Sequence, residues 1–191
     1  MIGQLNGKLI EKNPTELLID CAGVGYEVKI SLNTFSAIGN DEAIRLFTRL
    51  IVREDAHILY GFASKEEREM FSHLISVSGI GPNTAMIMLS SLVPDEIAHA
   101  IQVEDVRTIQ SIKGIGAKTA QRVIIDLKDK VLKMTFSAEN MFSQNNTQRF
   151  DALTALVSLG FDKKAADKAL DKISTGNETV EQLIKEALKI L

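Results

Sequence analysis

The feature that most constrains this chain is a short glycine-containing segment that occurs twice. Residues 78–85 read SGIGPNTA and residues 113–120 read KGIGAKTA, so Gly, Ile, Gly, Thr and Ala recur in register. An apolar stretch with helical spacing precedes each copy, and a second helical stretch follows it. A repeat of this kind predicts one supersecondary unit used twice, here a helix, a tight turn and a second helix.

The chemistry of the Gly-Ile-Gly turn suits a phosphate ligand. Glycine tolerates positive φ, so two glycines let the chain reverse sharply, and they leave no side chain between the backbone and a ligand. The turn lies beside the start of the next helix, where unpaired N–H groups and a partial positive charge attract anions. An ordinary helix corner with glycine as its C-cap explains one copy equally well. Two copies in register favour a paired device that binds a phosphate backbone.

The candidate backbone-binding residues follow from this repeat. Lys118 and Arg122 are four residues apart and share one face of the second helix, from which both can reach phosphates. The threonines either contact phosphate or cap their helices. The predicted set is Gly79, Ile80, Gly81, Asn83 and Thr84 in the first copy, and Gly114, Ile115, Gly116, Lys118, Thr119 and Arg122 in the second.

Charge and composition limit the function classes. The net charge is −3, and no segment of the chain is strongly basic. DNA-binding domains usually carry a basic patch, so DNA contacts would depend on a few cations and on backbone amides, with a modest salt dependence per chain. We expect a cytoplasmic protein without a membrane span, because no apolar run approaches about 20 residues and the N-terminus lacks a signal-peptide pattern. The single Cys21 excludes an internal disulfide.

The chain divides by pattern into three folded parts, which makes it a multi-domain α+β protein. Residues 1–63 show five strand-like segments, which predict a Greek-key barrel of the OB-fold type. Residues 64–136 form an all-α tandem helix–hairpin–helix domain, residues 137–148 a polar, flexible linker, and residues 149–191 a three-helix bundle. The bundle is small for an independent core.

Local signals mark several helix starts. Residues 64–67 (SKEE) predict a capping box, with Ser64 as N-cap and Glu67 as its reciprocal partner. The acid pairs at 95–96 and 104–105 are placed at helix starts, where the helix dipole favours them. We therefore interpret these carboxylates as caps and not as a catalytic cluster.

The whole chain resembles the RuvA family of bacterial Holliday-junction-binding proteins. The tandem hairpins carry the resemblance, together with VREDA at 52–56 and the LGF corner at 159–161. By composition alone residues 53–56 are a polar hairpin turn. The resemblance implies an acidic pin at Glu54 and Asp55, which repels phosphates at the centre of a junction, and a phosphate contact for Arg53. This sequence departs from the family at Asn83 and Ala117, where relatives often carry lysine.

The resemblance also implies partners. The C-terminal bundle would be a ubiquitin-associated-like domain that contacts RuvB, the hexameric ATPase of branch migration, through Leu159, Gly160 and Phe161. The chain would bind a four-way DNA junction as a homotetramer, or as an octamer on DNA, with the RuvC resolvase as a further partner in the full complex.

We expect no catalysis and no cofactor in the chain itself. Residues 114–119 fail the P-loop pattern, and no nucleophile–base set is visible. A Mg²⁺-dependent nuclease that uses the same hairpins, and a protein adaptor whose hairpins only pack helices, remain as alternatives.

Overall fold

A computed structural model describes residues 1–39, 41–139, 144–173 and 178–191. The chain forms two compact units, Met1–Leu132 and Lys133–Leu191. Within the described ranges, no helix combines the length and the apolar character that a bilayer span requires.

Five strands and one short helix form the N-terminal barrel. The barrel is closed in the order β1-β2-β3-β5-β4, in which only the β3–β5 pair is parallel. This confirms the predicted OB-type barrel. The elements are β1 (Gln4–Asn13), β2 (Glu16–Cys21), β3 (Val24–Ile30), α1 (Leu32–Ala37), β4 (Ala43–Val52) and β5 (His57–Phe62).

Alternating side chains fill the barrel, as the period of two in the sequence requires. Leu17 and Ile19 of β2 are buried inside it, and Leu46 of β4 is fully buried as well. At the parallel closure Ile30 pairs with Gly61. A Cβ at Gly61 would lie 2.5 Å from a methyl group of Val28, so the barrel closes only because this position carries no side chain.

The helices of the first unit continue the chain from β5. One apolar core runs from the barrel into them, because Tyr60 and Phe62 both stack on Phe71 of the first helix after the barrel, with ring centroids 5.0 Å apart in each pair. The elements are α2 (Lys65–Ile75), α3 (Pro82–Ser91), α4 (Pro94–Gln102), α5 (Val106–Gln110) and α6 (Ala117–Glu139).

The start of α2 corrects one detail of the sequence analysis. Ser64 is the N-cap, and its side chain accepts from the Glu67 amide at 3.1 Å. The Glu67 carboxylate does not return to the cap. It is buried and accepts hydrogen bonds from the hydroxyls of Ser31 and Thr34 at the start of α1. The predicted capping box is wrong because these partners, more than 30 residues away in sequence, compete for the carboxylate.

The other acidic pairs lie at helix starts, as predicted. The Glu96 carboxylate accepts from the Val93 amide at 3.0 Å. The Asp105 carboxylate caps α5 by accepting from the amides of Arg107 and Thr108. Its bond from the Thr108 hydroxyl is the main reason that the pKa of Asp105 lies below its ordinary value. These carboxylates therefore stabilise helices.

The second unit is a three-helix bundle, which confirms the predicted architecture. Its helices are α7 (Gln144–Ser158), α8 (Lys163–Ile173) and α9 (Val180–Ala187). Leu156, Leu170 and Leu183 form the centre of its core. Arg149 donates to Asp167 and Asp171 of α8. Thr179 is the N-cap of α9, in the predicted capping box with Gln182.

The segment 137–148, expected to be a linker, is helical where the structure describes it. Its first three residues complete α6, and its last five begin α7. Residues 140–143 lie outside the described residues. A polar composition predicts exposure, but alanine, glutamate and glutamine are also good helix formers.

Candidate nucleic-acid interface

The two halves of the repeat adopt the same turn. Gly79 has φ +95° and Gly114 has φ +92°, the left-handed conformation that only glycine adopts readily. The amide of Ile80 donates to the Val77 carbonyl at 3.0 Å, and the amide of Ile115 donates to its counterpart in the second turn at 3.1 Å. The sequence repeat is therefore a structural repeat, with α2 and α3 around the first turn and α5 and α6 around the second.

The isoleucine of each turn is a core residue. Ile80 and Ile115 are each only 5% exposed and belong to the helical core. The predicted plug between the two helices is thus present in both hairpins. In a complex with phosphate, these two positions can contribute backbone amides but not side chains.

The second glycine of each turn begins a helix and faces open space. Gly81 is the N-cap of α3, and its carbonyl accepts from Ala85 at 3.0 Å. Gly116 accepts in the same way from Ala120 at 2.9 Å. A Cβ built at Gly81 or Gly116 would meet nothing within 4 Å. Each helix start is therefore open to a ligand.

No side chain caps α3. The choice that the sequence left open for Thr84, cap or ligand contact, is thereby narrowed, because Thr84 lies inside the first turn of α3. The amides of Asn83 and Thr84 have no acceptor from a capping side chain, the condition in which a helix N-terminus attracts an anion.

The two hairpins touch each other. The direction in which a Gly79 side chain would point ends 3.9 Å from the Thr119 methyl group. Arg122 donates from Nη1 to the Ser78 carbonyl at 3.4 Å, and Lys130 donates from Nζ to the Ser76 hydroxyl at 3.1 Å. Helix α6 thus braces the first hairpin, which fixes the distance between the two turns. Sequence reasoning gave Arg122 only a phosphate contact and missed the role of Lys130.

The hairpins differ in charge. Lys118 is exposed at the start of α6, and so is Lys113, which directly precedes the second turn. Lys113 was not among the predicted site residues, although its place before Gly114 was visible in the repeat. The corresponding position to Lys118 is Asn83, whose Oδ1 accepts from the Tyr60 hydroxyl at 3.5 Å. The second hairpin therefore carries the cations of this pair.

The turn between β4 and β5 holds the predicted pin. The Arg53 amide donates to the Ala56 carbonyl at 2.9 Å, and the side chains of Arg53, Glu54 and Asp55 are exposed. Within the part of the chain that the structure describes, neither carboxylate forms an ion pair. Burial raises the pKa of Tyr60 on the adjacent strand, while the positive charge of Arg53 opposes that rise.

The corner between α7 and α8 presents one apolar side chain to solvent. Gly160 has φ +100°, and Leu159 before it is 63% exposed. Phe161 instead packs against the core of the bundle, and its amide donates to the Leu156 carbonyl at 3.2 Å. Of the three predicted partner-binding residues, Leu159 is the one whose side chain is free to contact another molecule.

A closed OB-type barrel that shares its core with two paired Gly-Ile-Gly hairpins defines a tandem helix–hairpin–helix protein. Three family models match the chain: the RuvA N terminal domain over residues 1–61, the SAM-like helix-hairpin-helix tandem over 71–129, and the RuvA C-terminal domain over 148–191. The chain belongs to the RuvA family.

Relatives match it over its full length. The chain is 57% identical to a protein of Christiangramia forsetii, 55% to one of Flavobacterium psychrophilum and 50% to one of Cytophaga hutchinsonii. Each alignment covers 100% of both chains. All three relatives carry the name Holliday junction branch migration complex subunit RuvA.

Proposed function

We propose that this chain binds Holliday junctions without sequence preference and serves branch migration in recombination and DNA repair. The observation that carries the proposal is the pair of open, in-register hairpin turns, braced against each other by α6. The names of the full-length relatives agree with it.

The hairpins would bind the sugar–phosphate backbone of one junction arm. Backbone amides beside Gly81 and Gly116 would donate to phosphate oxygens, and Lys118 would add a charge-assisted bond. Such contacts position a protein on DNA but carry no base information. Binding should therefore depend on the shape of the DNA and not on its sequence.

The acidic turn would act against the wrong DNA. Glu54 and Asp55 lie at the exposed tip of the β4–β5 hairpin, so a continuous duplex placed against this tip would bring its phosphates close to two carboxylates. Like-charge repulsion disfavours that complex. At a junction the strands separate at the centre, which leaves room for the pin, and Arg53 offsets part of the repulsion.

The assembly and its partners belong to the same proposal. A homotetramer matches a four-way junction, because cyclic symmetry gives each arm one subunit, and an octamer would enclose it. The C-terminal unit would recruit the RuvB ATPase through Leu159, and RuvC would join the full complex. This chain would then be the non-catalytic DNA-binding subunit, placed in the cytoplasm.

No observation favours the nuclease alternative. Among the described residues, no three His, Cys, Asp or Glu side chains are grouped so that they could hold a metal ion. The acid pairs that prompted the alternative are engaged at helix starts.

The paired glycines allow a test that separates binding from folding. Gly81→Asp with Gly116→Asp places carboxylates in the open space before both helices. Asp is a favourable N-cap, so the melting temperature should be unchanged or raised. Junction affinity in a mobility-shift titration should fall at least about tenfold, because carboxylates replace the open approach to phosphate.

The matched control is Lys164→Gln with Lys168→Gln on α8, which changes the net charge equally in the second unit. This variant should bind junctions almost as the wild type does. A folded Gly81→Asp, Gly116→Asp variant with wild-type junction affinity would overturn the proposed use of the hairpins. Equal wild-type affinity for a junction and a duplex of the same length would overturn junction specificity.

A further inference from the structure

The outer surface of β4 carries a basic and aromatic face. Arg45, Lys65 and Arg68 surround the ring of Phe47, with their charged groups 5.3, 5.8 and 5.6 Å from its centroid. The ring is half-buried, and Arg45 and Lys65 are exposed. In the described part of the chain none of these three cations forms an ion pair. We call these four residues the basic face.

The barrel carries an acidic face of matching design elsewhere. Leu18 points outward from β2 and lies between Glu11 of β1 and Glu27 of β3, to which it is directly paired. Asp20 and Glu16 follow on the same side of β2, two residues from Leu18 in either direction, because side chains alternate along a strand. Leu18 is half-buried, and Glu11, Glu16 and Glu27 are exposed. These five residues form the acidic face.

The two faces point in diverging directions. The barrel order β1-β2-β3-β5-β4 separates β4 from β2 by one strand on one side and by two on the other. Two copies related by a two-fold axis cannot therefore make both contacts between the same two subunits. Each copy needs two neighbours, one for each face, and such head-to-tail contacts produce a closed ring or a filament.

We propose that the basic face of one copy of this chain docks on the acidic face of the next, and that this contact builds the ring. Each face has an apolar residue at its centre and charges around it, with opposite signs on the two faces. Interfaces favour aromatic and arginine residues at such positions, and complementary charge fixes which surfaces meet. Cations stacked on Phe47 would gain carboxylate partners and would keep their cation–π contacts.

The basic face is separate from the proposed DNA surface. Helix α2 begins beside it, at Lys65, and ends at Ile75 just before the first hairpin turn, ten residues or about 15 Å away along the axis. The pin lies at the end of β4, seven residues beyond Arg45 and more than about 20 Å along an extended strand. DNA bound by the hairpins and the pin would leave the basic face free for another subunit. The inference thus deepens the proposed assembly by naming its contact surfaces.

Charge reversal tests the contact without DNA. Variant one carries Arg45→Glu and Lys65→Glu, and variant two carries Glu11→Lys and Glu27→Lys. These four side chains are exposed, so both variants should fold, which their circular dichroism and melting curves check. Light scattering after size exclusion should find the wild type as a multiple of the 21.0 kDa chain and each variant mainly as a single chain.

Recombination of the faces makes the test specific. In an equimolar mixture, each variant offers its intact face to the intact face of the other and its reversed face to the reversed one, so the mixture should regain wild-type mass. One chain that carries all four substitutions should assemble alone. Lys164→Glu with Asp151→Lys, two exposed positions of the second unit, is the control and should leave the mass unchanged.

The outcomes discriminate between occupants. Wild-type mass in either variant, or failure of both the mixture and the fourfold variant to assemble, would overturn the proposal. A variant one that keeps its mass but loses junction binding would assign the basic face to DNA instead. A wild type that assembles through these faces but does not prefer junctions would reject the proposed function and leave this inference standing.

Discussion

At the scale of single residues, the four hairpin glycines divide two tasks between them. Gly79 and Gly114 have positive φ, so a side chain there strains the turn. Gly81 and Gly116 have ordinary backbone angles and empty space around them, so a side chain there costs the fold little. The first glycine of each pair therefore serves folding, and the second keeps the approach to the helix start open.

A second single residue, Glu67, links two elements of the first unit. Its carboxylate is 4% exposed and accepts hydrogen bonds from Ser31 and Thr34, and the Thr34 hydroxyl also accepts from the Ala63 amide at 3.1 Å. One buried side chain thus connects α1, the end of β5 and the first turn of α2. Hydrogen bonds to a charged group are stronger than those between neutral groups.

The Glu67→Ala substitution should destabilise the first unit by about 2–3 kcal/mol, because it removes two such bonds and leaves both hydroxyls without their acceptor. Urea unfolding followed by circular dichroism measures this loss. Glu66→Ala, on the exposed side of the same turn, is the control and should cost less than about 0.5 kcal/mol. Equal effects of the two substitutions would show that the buried network contributes no more than an exposed helix residue.

At the scale of elements, α2 connects the barrel to the first hairpin and carries a titratable group. His73 lies in its last turns, half-buried and 3.7 Å from Glu69. Burial is the main cause that lowers the pKa of His73 below its ordinary 6.5, and Lys130 acts in the same direction, while Glu69 opposes it. Below that pH the unfolded chain binds a proton more readily than the folded one.

The first unit should therefore lose stability as the pH falls from 6.5 through the folded pKa of His73, and should keep this contribution fully above 6.5. The free energy of unfolding, measured in urea at several pH values between 7.5 and 5, should show this slope. In the His73→Gln variant the slope should be shallower. An unchanged slope in the variant would assign the pH dependence to other groups.

The elements also show how far sequence reasoning reaches. The hairpins were predictable because glycine spacing encodes a backbone conformation locally, and the caps at Ser64 and Thr179 were equally local. The brace from Arg122 to Ser78 spans 44 positions, and the bonds of Glu67 span more than 30. Such contacts depend on how elements pack, and no local pattern carries that information.

At the scale of the whole first unit, the barrel and the hairpins share one hydrophobic core. The sequence predicted a domain that ends at residue 63, because strand-like patterns stop there. The folded chain continues its core across that position, since Tyr60 and Phe62 of β5 stack on Phe71 of α2. The pin and the hairpins are therefore parts of one compact body, which fixes the spacing between the repelling and the binding groups.

Truncation of Phe71 to alanine should consequently weaken the barrel and the helices together. Phe71 is fully buried, and a Phe→Ala change in a core costs about 3–5 kcal/mol. Native-state hydrogen exchange should show equal losses of protection at the Ile19 amide in β2 and at the Leu89 amide in α3, because global unfolding exposes both. Loss of protection at Leu89 alone would mean that the barrel and the helices unfold separately. Then the shared core would not hold the pin at a fixed distance from the hairpins, and junction selectivity would need a second subunit to set that distance.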